Sequence, residues 1–253
     1  MSRLDIDAIR SQMTLGMDIA LGGVGRAEFI QKFGRNPSIG NAPETVWNYG
    51  GIYVYPTVAA PVYVSGSDEQ DGAAGTGART VTVLGLDANY NMIQETLTVD
   101  GAPSGSSFLR VYRAFVVTAG TLGANKGTVL ISTGATGTGT VLADIGTIGS
   151  GTTYGTGQTF LGLYTVPAGY KGYLTRWNIG VGAYNDNCTA LLGWKSPQGL
   201  FRTRDVMSVP GGLHNINYNV PLIFDEKVDI EIRALCSTGT EVSTNFDIIL
   251  IKS

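Results

Sequence analysis

The glycine-rich stretch at residues 72–80, GAAGTGART, has residue types and spacing that could hold a phosphate group. A dinucleotide-binding loop needs G-x-G-x-x-G opening into a helix, and a P-loop needs a Lys-Ser or Lys-Thr pair. Here Gly75 and Gly77 are followed by Arg79 and Thr80, and then by strand-like sequence. We therefore predict a turn that leads into a strand, and no nucleotide site.

His214 is the only histidine, so a Ser-His-Asp or Cys-His arrangement would have to use it. It lies in a predicted turn, with no G-x-S-x-G pattern nearby, and we expect an exposed loop residue. Cys188 and Cys236 are the only cysteines, and they form no C-x-x-C pair. With one histidine they cannot make a standard zinc site without additional carboxylates. We expect two buried thiols and leave a disulfide open as the alternative.

Two acidic clusters, at residues 68–71 and 87–91, could bind a cation. Asp87, Asn89 and Asn91 alternate as in the first half of a calcium loop, but the glycine and the distal glutamate of an EF-hand are absent. Glycoside hydrolysis would need two carboxylates at a defined separation, which a sequence does not give. We expect these acids to be solvated loop residues that accept hydrogen bonds from their own backbone.

Aromatic residues offer a further kind of site, because Trp47, Trp177 and Trp194 together with 12 tyrosines could form a carbohydrate-stacking platform. Such residues more often fill the cores and cover the faces of β-sheets, and we predict core or subunit packing. The sequence thus predicts no catalytic, cofactor-binding or metal-binding residue and no cofactor. We expect a protein that is not an enzyme.

The composition of the 253-residue chain fits an all-β protein with many short strands. Charged residues make up 15% of the chain, against about 25% on average, and there are 36 glycines. The net charge is −3 without a basic block, so we predict no nucleic-acid partner. No apolar run is long enough to cross a membrane, and the N-terminus lacks the pattern of a signal peptide. We expect assembly in a cytosol.

From residue 47 onward the hydrophobic pattern alternates with a period of two, which is typical of strands. Short alternating runs recur between turns, as in residues 80–83 and 95–99, and no helix of sufficient length separates them. This pattern excludes a parallel α/β sheet and predicts antiparallel sandwiches. Residues 133–158 contain one charged residue, Asp144, and are the best candidate for a boundary. The following segment holds about eight strands, which favours a jelly-roll-like sandwich.

Residues 1–35 differ from the rest of the chain. A capping-box-like start and a helical apolar face at Leu4, Ile9 and Met13 predict a short helix, and residues 27–33 are expected to add one or two helical turns. Two interpretations remain, a frayed terminus or an arm that docks on a neighbouring subunit. The predicted organisation is an arm (residues 1–40), a first β-sandwich domain (41–150) and a jelly-roll-like domain (151–253).

Several motifs resemble a family of virion structural proteins of tailed bacteriophages, common among aquatic phages. They are KFGRNP (32–37), ETVW (44–47), GGIY (50–53), AAGTGARTV (73–81), GLDANYN (85–91) and YTVPAGYKGYL (164–174). The resemblance runs from about residue 32 to about residue 180, and the C-terminal part agrees less closely.

The resemblance implies a component of the virus particle with no catalytic residues to transfer. A capsid decoration (cement) protein, with a trimer as the favoured homo-oligomer, is the first expectation, and its partner would be the major capsid protein. A neck, collar or tail-fibre component, contacting neck or tail proteins, is the alternative. A carbohydrate-binding or carbohydrate-degrading receptor protein is the third hypothesis.

Overall fold

The computed structural model describes residues 18–19, 22–99, 101–149, 154–182 and 186–253. A 3-10 turn at Ala135–Gly137 interrupts the strands of this part of the chain. In chain order the strands are β1 (Ala27–Ile39), β2 (Glu44–Thr45), β3 (Ala60–Pro61), β4 (Tyr63–Gly66), β5 (Ala78–Leu86), β6 (Met92–Thr98), β7 (Ser107–Phe108), β8 (Arg110–Ala119), β9 (Val129–Ser132), β10 (Val141–Ile145), β11 (Thr147–Ile148), β12 (Tyr154–Gly155), β13 (Leu163–Thr165), β14 (Tyr170–Val181), β15 (Cys188–Lys195), β16 (Arg202–Val209), β17 (Gly212–Phe224), β18 (Asp229–Cys236) and β19 (Thr240–Lys252).

Two sheets share one hydrophobic core in the C-terminal part of the chain. Sheet A has the order β1-β19-β14-β17, and sheet B has the order β13-β18-β15-β16, with β2 beside β13 on the same edge of β18. Alternating residues point into this core, so that one face of each strand is apolar. Its fully buried side chains include Trp177 on β14, Ile230 on β18 and Phe246 on β19.

The segment between β2 and β13 forms smaller sheets, with the orders β6-β5-β8, β10-β9-β4, β3-β7 and β11-β12. Their apolar faces enclose a second cluster that includes Val83, Phe108 and Ile131. The strand pairs recorded for the described residues are antiparallel, which confirms the all-β, antiparallel prediction. The division into domains at residues 41 and 151 stays a prediction. Strand β10, which lies before the second of these boundaries, contributes its side chains to the second cluster.

Residues 27–33 are extended, and the helical turns predicted for them are wrong. They open β1, which pairs with β19 from Ala27 opposite Ile251 onward. The side chains alternate, since Lys32 and Asn36 are buried whereas Phe29 is exposed. Pairing with a long neighbouring strand outweighs the weak helical propensity of so short a segment. The helix predicted around residues 4–13 lies outside the described residues.

Close approach of two backbones fixes the position of β1 on sheet B. A Cβ atom on Gly34 would lie 2.2 Å from the carbonyl oxygen of Val46 and 2.3 Å from the amide nitrogen of Gly162. These distances leave no room for a side chain, so glycine is required for packing here. Val46 and Gly162 are bonded to each other as well, through the Gly162 amide, which donates to the Val46 carbonyl at 2.9 Å.

Cys188 and Cys236 form a disulfide, and the expectation of two free thiols is wrong. The two residues lie directly opposite each other on β15 and β18, with both side chains turned into the core. Strand pairing therefore brings together two cysteines that are 48 residues apart in sequence. Spacing alone does not identify neighbouring strands, so the sequence leaves this pairing open.

Candidate functional site

The glycine-rich stretch at residues 72–80 forms a turn that is closed by Asp71. The Asp71 carboxylate accepts hydrogen bonds from the backbone amides of Ala78 (2.8 Å), Lys126 (2.8 Å) and Gly127 (2.7 Å). The turn prediction is confirmed, whereas the expectation that Asp71 is solvated is wrong, because its side chain is 1% exposed. The carboxylate thus occupies the amide of Ala78, which would otherwise be available to an anion.

His214 lies in strand β17 and is half-buried, so the prediction of an exposed loop residue is wrong. Its Nε2 atom lies 3.3 Å from the carbonyl oxygen of Gly211. The strand forms because β17 pairs with β14, with His214 opposite Ile179. Neither a carboxylate nor a hydroxyl contacts the ring among the described residues, so the geometry gives no catalytic triad.

Carboxylates of both acidic clusters accept hydrogen bonds from backbone amides. Asp87 accepts hydrogen bonds from the amides of Asn89 (2.8 Å) and Asn91 (2.9 Å), as predicted for a loop residue that bonds its own backbone. In the described part of the chain, one group meets the spacing of metal ligands, namely Asp186 with Cys188 and Cys236. The two sulfur atoms are bonded to each other, so they are not available as thiolate ligands.

The tryptophans do not form an exposed stacking platform. Trp47 and Trp177 are buried in the two clusters, as predicted for core packing. Trp194 is half-buried and lies beside the Arg202 guanidinium, which is 5.5 Å from its ring centroid.

A buried polar network lies on the outer face of sheet B, beneath the segment between β2 and β13. Arg110 donates from Nε and Nη2 to the two carboxylate oxygens of Asp229, at 2.8 and 3.0 Å. Thr165 also donates to Asp229, at 2.6 Å. Both charged side chains are almost fully buried, at 5% and 0% exposure. A bidentate pair of this kind fixes geometry because the guanidinium and carboxylate planes must match.

A second pair continues the network along β18. Arg233 donates from Nε to Glu231 at 2.7 Å, and Thr45 donates to the same carboxylate at 2.5 Å. Arg233 also stacks over the ring of Phe201 at 3.8 Å. The sequence analysis missed this network, although the alternation in residues 229–233, DIEIR, places three charged residues on one face of a strand.

Tyrosines cover this charged face. The Tyr53 hydroxyl donates to the carbonyl of Leu142 at 3.1 Å. The Tyr55 hydroxyl is buried and has no hydrogen-bond partner among the described residues. Burial raises the pKa of Tyr55, and the carboxylates of Glu231 and Asp229 raise it further. Both tyrosines are therefore neutral at physiological pH.

A cavity of about 250 Å³ opens beside the network. Its lining includes the ring of Tyr55, the side chains of Tyr90 and Gln198, and two cationic residues, Arg110 and Lys195. The Arg110 guanidinium lies 5.1 Å from the Tyr55 ring centroid and 5.7 Å from that of Tyr90. The Lys195 amine lies 4.1 Å from the Tyr55 ring centroid. The lining contains no carboxylate.

The outer face of sheet A carries an apolar row that crosses all four strands. Phe29 on β1 lies opposite Ile249 on β19, Ile249 lies opposite Tyr173 on β14, and Tyr173 lies opposite Ile223 on β17. Phe29 is 46% and Ile223 is 52% exposed. We call these four residues the apolar row. The opposite face of the same sheet already packs on the core, so the row is left without a cover in the described part of the chain.

Comparisons with known proteins give no family assignment. No protein-family model matches the chain, and no curated protein matches it significantly. Solved structures that are similar include infectious bursal disease virus strain Gx (6% identity, 90% of this chain and 72% of that chain, TM-score 0.24) and strain Gt (8%, 95% and 78%, 0.22). A further one is described as "Crystal Structure of the STIV MCP" (11%, 88% and 87%, 0.22). TM-scores this low carry no argument about fold or function.

In the described part of the chain, no helix has the length and apolar character that crossing a membrane requires.

Proposed function

We propose that this chain is a non-enzymatic structural protein of a tailed-bacteriophage particle, and that it decorates the capsid as a homo-oligomer, with a trimer as the favoured state. The observation that carries the proposal is the apolar row on the outer face of sheet A. An apolar strip that crosses an entire sheet, half-buried at its centre and exposed at both ends, is typical of a surface that another protein covers. The motif resemblance of residues 32–180 supports a virion component in particular.

The order of the strands supports the same proposal. With β1 as the first strand, β13 as the second and the two-residue strand β2 set aside, the two sheets contribute four strands each, in the orders β1-β19-β14-β17 and β13-β18-β15-β16. We propose that these eight strands are a jelly roll, whose first and second strands are separated by the inserted segment of residues 46–162. Jelly rolls form the domains of many viral capsid proteins and of lectins, so the fold fits the role without proving it.

A second copy of this chain is the occupant that the surface suits best. Two pairs of charged side chains near the apolar row are already paired within the chain, Arg176 with Asp247 at 2.7 Å and Lys171 with Asp225 at 3.4 Å. A neighbouring copy of the chain that packs on this surface would therefore not have to neutralise these charges. Strand β17, at the edge of the sheet, contains no Asp, Glu, Lys or Arg, although edge strands of monomeric proteins commonly carry such charges to prevent association.

Sedimentation analysis of the purified chain tests this assembly. We expect a concentration-dependent oligomer for the native protein, and a dissociation constant at least about tenfold weaker for Ile223→Lys, because the lysine charge would be buried at the contact. Val58→Lys is the matched control, since Val58 is 75% exposed and lies outside sheet A. A native protein that sediments as a monomer at every concentration would overturn the proposed contact.

The position in the particle separates decoration from the alternatives. Copies distributed over the head in a reconstruction would support decoration and contact with the major capsid protein, whereas a single ring of copies would support the neck, collar or tail. A deletion that tests the docking arm should remove only residues 1–17, because β1 begins at Ala27 and belongs to sheet A. Unchanged incorporation of the shortened chain would refute the docking arm.

A carbohydrate-binding or carbohydrate-degrading receptor protein remains the alternative from another class. The jelly-roll order is compatible with it, since lectins use that fold. The buried tryptophans remove the stacking platform on which the sequence analysis based this alternative. A blank glycan array and a blank polysaccharide-cleavage assay would dismiss it.

A further inference from the structure

We propose that the cavity beside Lys195 is a binding site for a small polar ligand that carries one carboxylate group, such as a uronic acid. This inference does not depend on the proposed assembly, because the cavity lies at the outer face of sheet B and the apolar row lies on sheet A. Junctions between packed units are common places for ligand sites.

The charge balance around the cavity leaves one cation without a partner. Asp229 is used by Arg110, and Glu231 is used by Arg233, through bidentate hydrogen bonds. Lys195 lies opposite Asp229 on the neighbouring strand, yet its amine makes no hydrogen bond or ion pair with any described residue. Three cations therefore share two carboxylates, and the remaining positive charge is that of Lys195.

The surroundings of Lys195 favour an anion over water. Its side chain is half-buried, and burial is the main cause that lowers the pKa of its amine. The amine rests on the face of Tyr55, and such a cation–π contact stabilises a cation less than a charged hydrogen bond does. A ligand carboxylate would supply that missing hydrogen bond.

The single uncompensated positive charge of Lys195 determines which class of ligand the cavity suits. Arg110 donates to Asp229, to the carbonyl of Pro56 at 2.7 Å and to the carbonyl of Leu109 at 2.9 Å, so its charge is already compensated. The site therefore balances a single negative charge, which suits a carboxylate better than a phosphate monoester, whose charge near pH 7 is between −1.5 and −2.

The remaining lining suits a hydroxylated ring. Tyr90, Thr57 and Gln198 offer hydroxyl and amide groups, while Pro197 offers an apolar surface. Tyr90, which forms one wall of the cavity, is held in place by its neighbours in sequence. The amides of Asn89 and Asn91, on either side of Tyr90, both donate to the Asp87 carboxylate. Such a preformed wall reduces the ordering cost of binding.

Calorimetric titration of the full chain with glucuronate tests the site. We expect saturable binding that weakens about 10- to 100-fold in Lys195→Met, the factor for one charged hydrogen bond, and that is largely retained in Lys195→Arg. Lys126→Met is the control, because Lys126 is exposed and distant in the fold, and thermal unfolding of each variant checks that it is folded. Glucose and inorganic phosphate serve as the neutral and the multiply charged probes.

Each result decides the proposal. Glucuronate binding that exceeds glucose and phosphate binding and requires a cation at position 195 supports it. No binding of glucuronate, equal binding to Lys195→Met, or preference for phosphate would overturn it. Sedimentation of Lys195→Met as the native oligomer would show that a negative result concerns the cavity and leaves the proposed assembly intact.

Discussion

Replacing Lys32 with methionine should make the protein more stable at neutral pH, although it removes a hydrogen bond. Lys32 lies on the inward face of β1, where it is 6% exposed, and its amine donates to the carbonyl of Tyr112. Burial, together with a smaller contribution from the nearby Arg113, lowers the pKa of Lys32 from 10.5 to about 7. No carboxylate forms an ion pair with this amine among the described residues, so its charge is costly in the folded state.

The magnitude follows from the lowered pKa. A difference of 3.5 between the two pKa values corresponds to about 5 kcal/mol at low pH and to about 4 kcal/mol at pH 7. Loss of the hydrogen bond to Tyr112 offsets about 1–2 kcal/mol. The net gain for Lys32→Met is therefore about 2–3 kcal/mol at pH 7.

The sign of the pH dependence gives a sharper test than the gain itself. Between pH 7 and 10.5 the unfolded chain holds a proton on Lys32 that the folded chain has lost, so the stability of the native protein rises with pH over this window. The advantage of Lys32→Met should therefore shrink by about 1.4 kcal/mol per pH unit and vanish by about pH 10.

Urea unfolding followed by tryptophan fluorescence, at several pH values from neutral to alkaline, measures this difference. Lys126→Met is the control, since Lys126 is exposed and its substitution should change stability by less than about 0.5 kcal/mol at every pH. A Lys32→Met protein that is less stable at pH 7, or whose advantage is the same at pH 7 and pH 10, would refute the reasoning.

Further substitutions test the other buried groups by the same unfolding assay. Burial raises the pKa of Asp144 to about 6, so native stability should fall by about 2 kcal/mol as the pH rises from about 4 to 6, and Asp144→Asn should abolish this fall. Arg110→Met should cost about 3–5 kcal/mol because it leaves Asp229 buried without its ion-pair partner, and Asp229→Asn in the same chain should recover part of that loss. Gly34→Ala should cost about 3 kcal/mol or more, whereas Gly40→Ala, whose Cβ would meet nothing within 4 Å, should be tolerated.

The alternation of apolar and polar residues predicted most of the strands. Successive side chains of a strand point to opposite faces, so a sheet with one buried face requires this period of two. The same pattern failed at residues 27–33. There the apolar residues Phe29, Ile30 and Phe33 fit a helical face, and the deciding factor was the partner strand β19, more than 200 residues away in sequence. Local propensity cannot report such a partner.

The buried polar network around Arg110 and Asp229 could not be predicted from the sequence for a related reason. Arg110 and Asp229 are 119 residues apart, and each looks like an ordinary surface charge when it is considered alone. The strand pattern at residues 229–233 identifies a charged face but does not say that another part of the chain covers it. The disulfide shows the same limit, since Cys188 and Cys236 meet only through the register of β15 and β18.

Residues 46–162 are inserted between β1 and β13, the first two strands of the proposed jelly roll. This insertion explains why its contact with sheet B is polar. The chain leaves the sheets at Val46, whose amide donates to the Ile232 carbonyl at 2.9 Å, and it returns at Gly162, whose carbonyl accepts from the Ile232 amide at 2.8 Å. Both ends of the insertion are thus held at one residue of β18. An apolar contact would hold the insertion on sheet B only by the fit of its shape. The bidentate pair of Arg110 and Asp229 allows only one orientation of the insertion on the sheet. A fixed orientation of the insertion is therefore the property that the buried charges supply, and their loss should reduce order at this contact as well as stability.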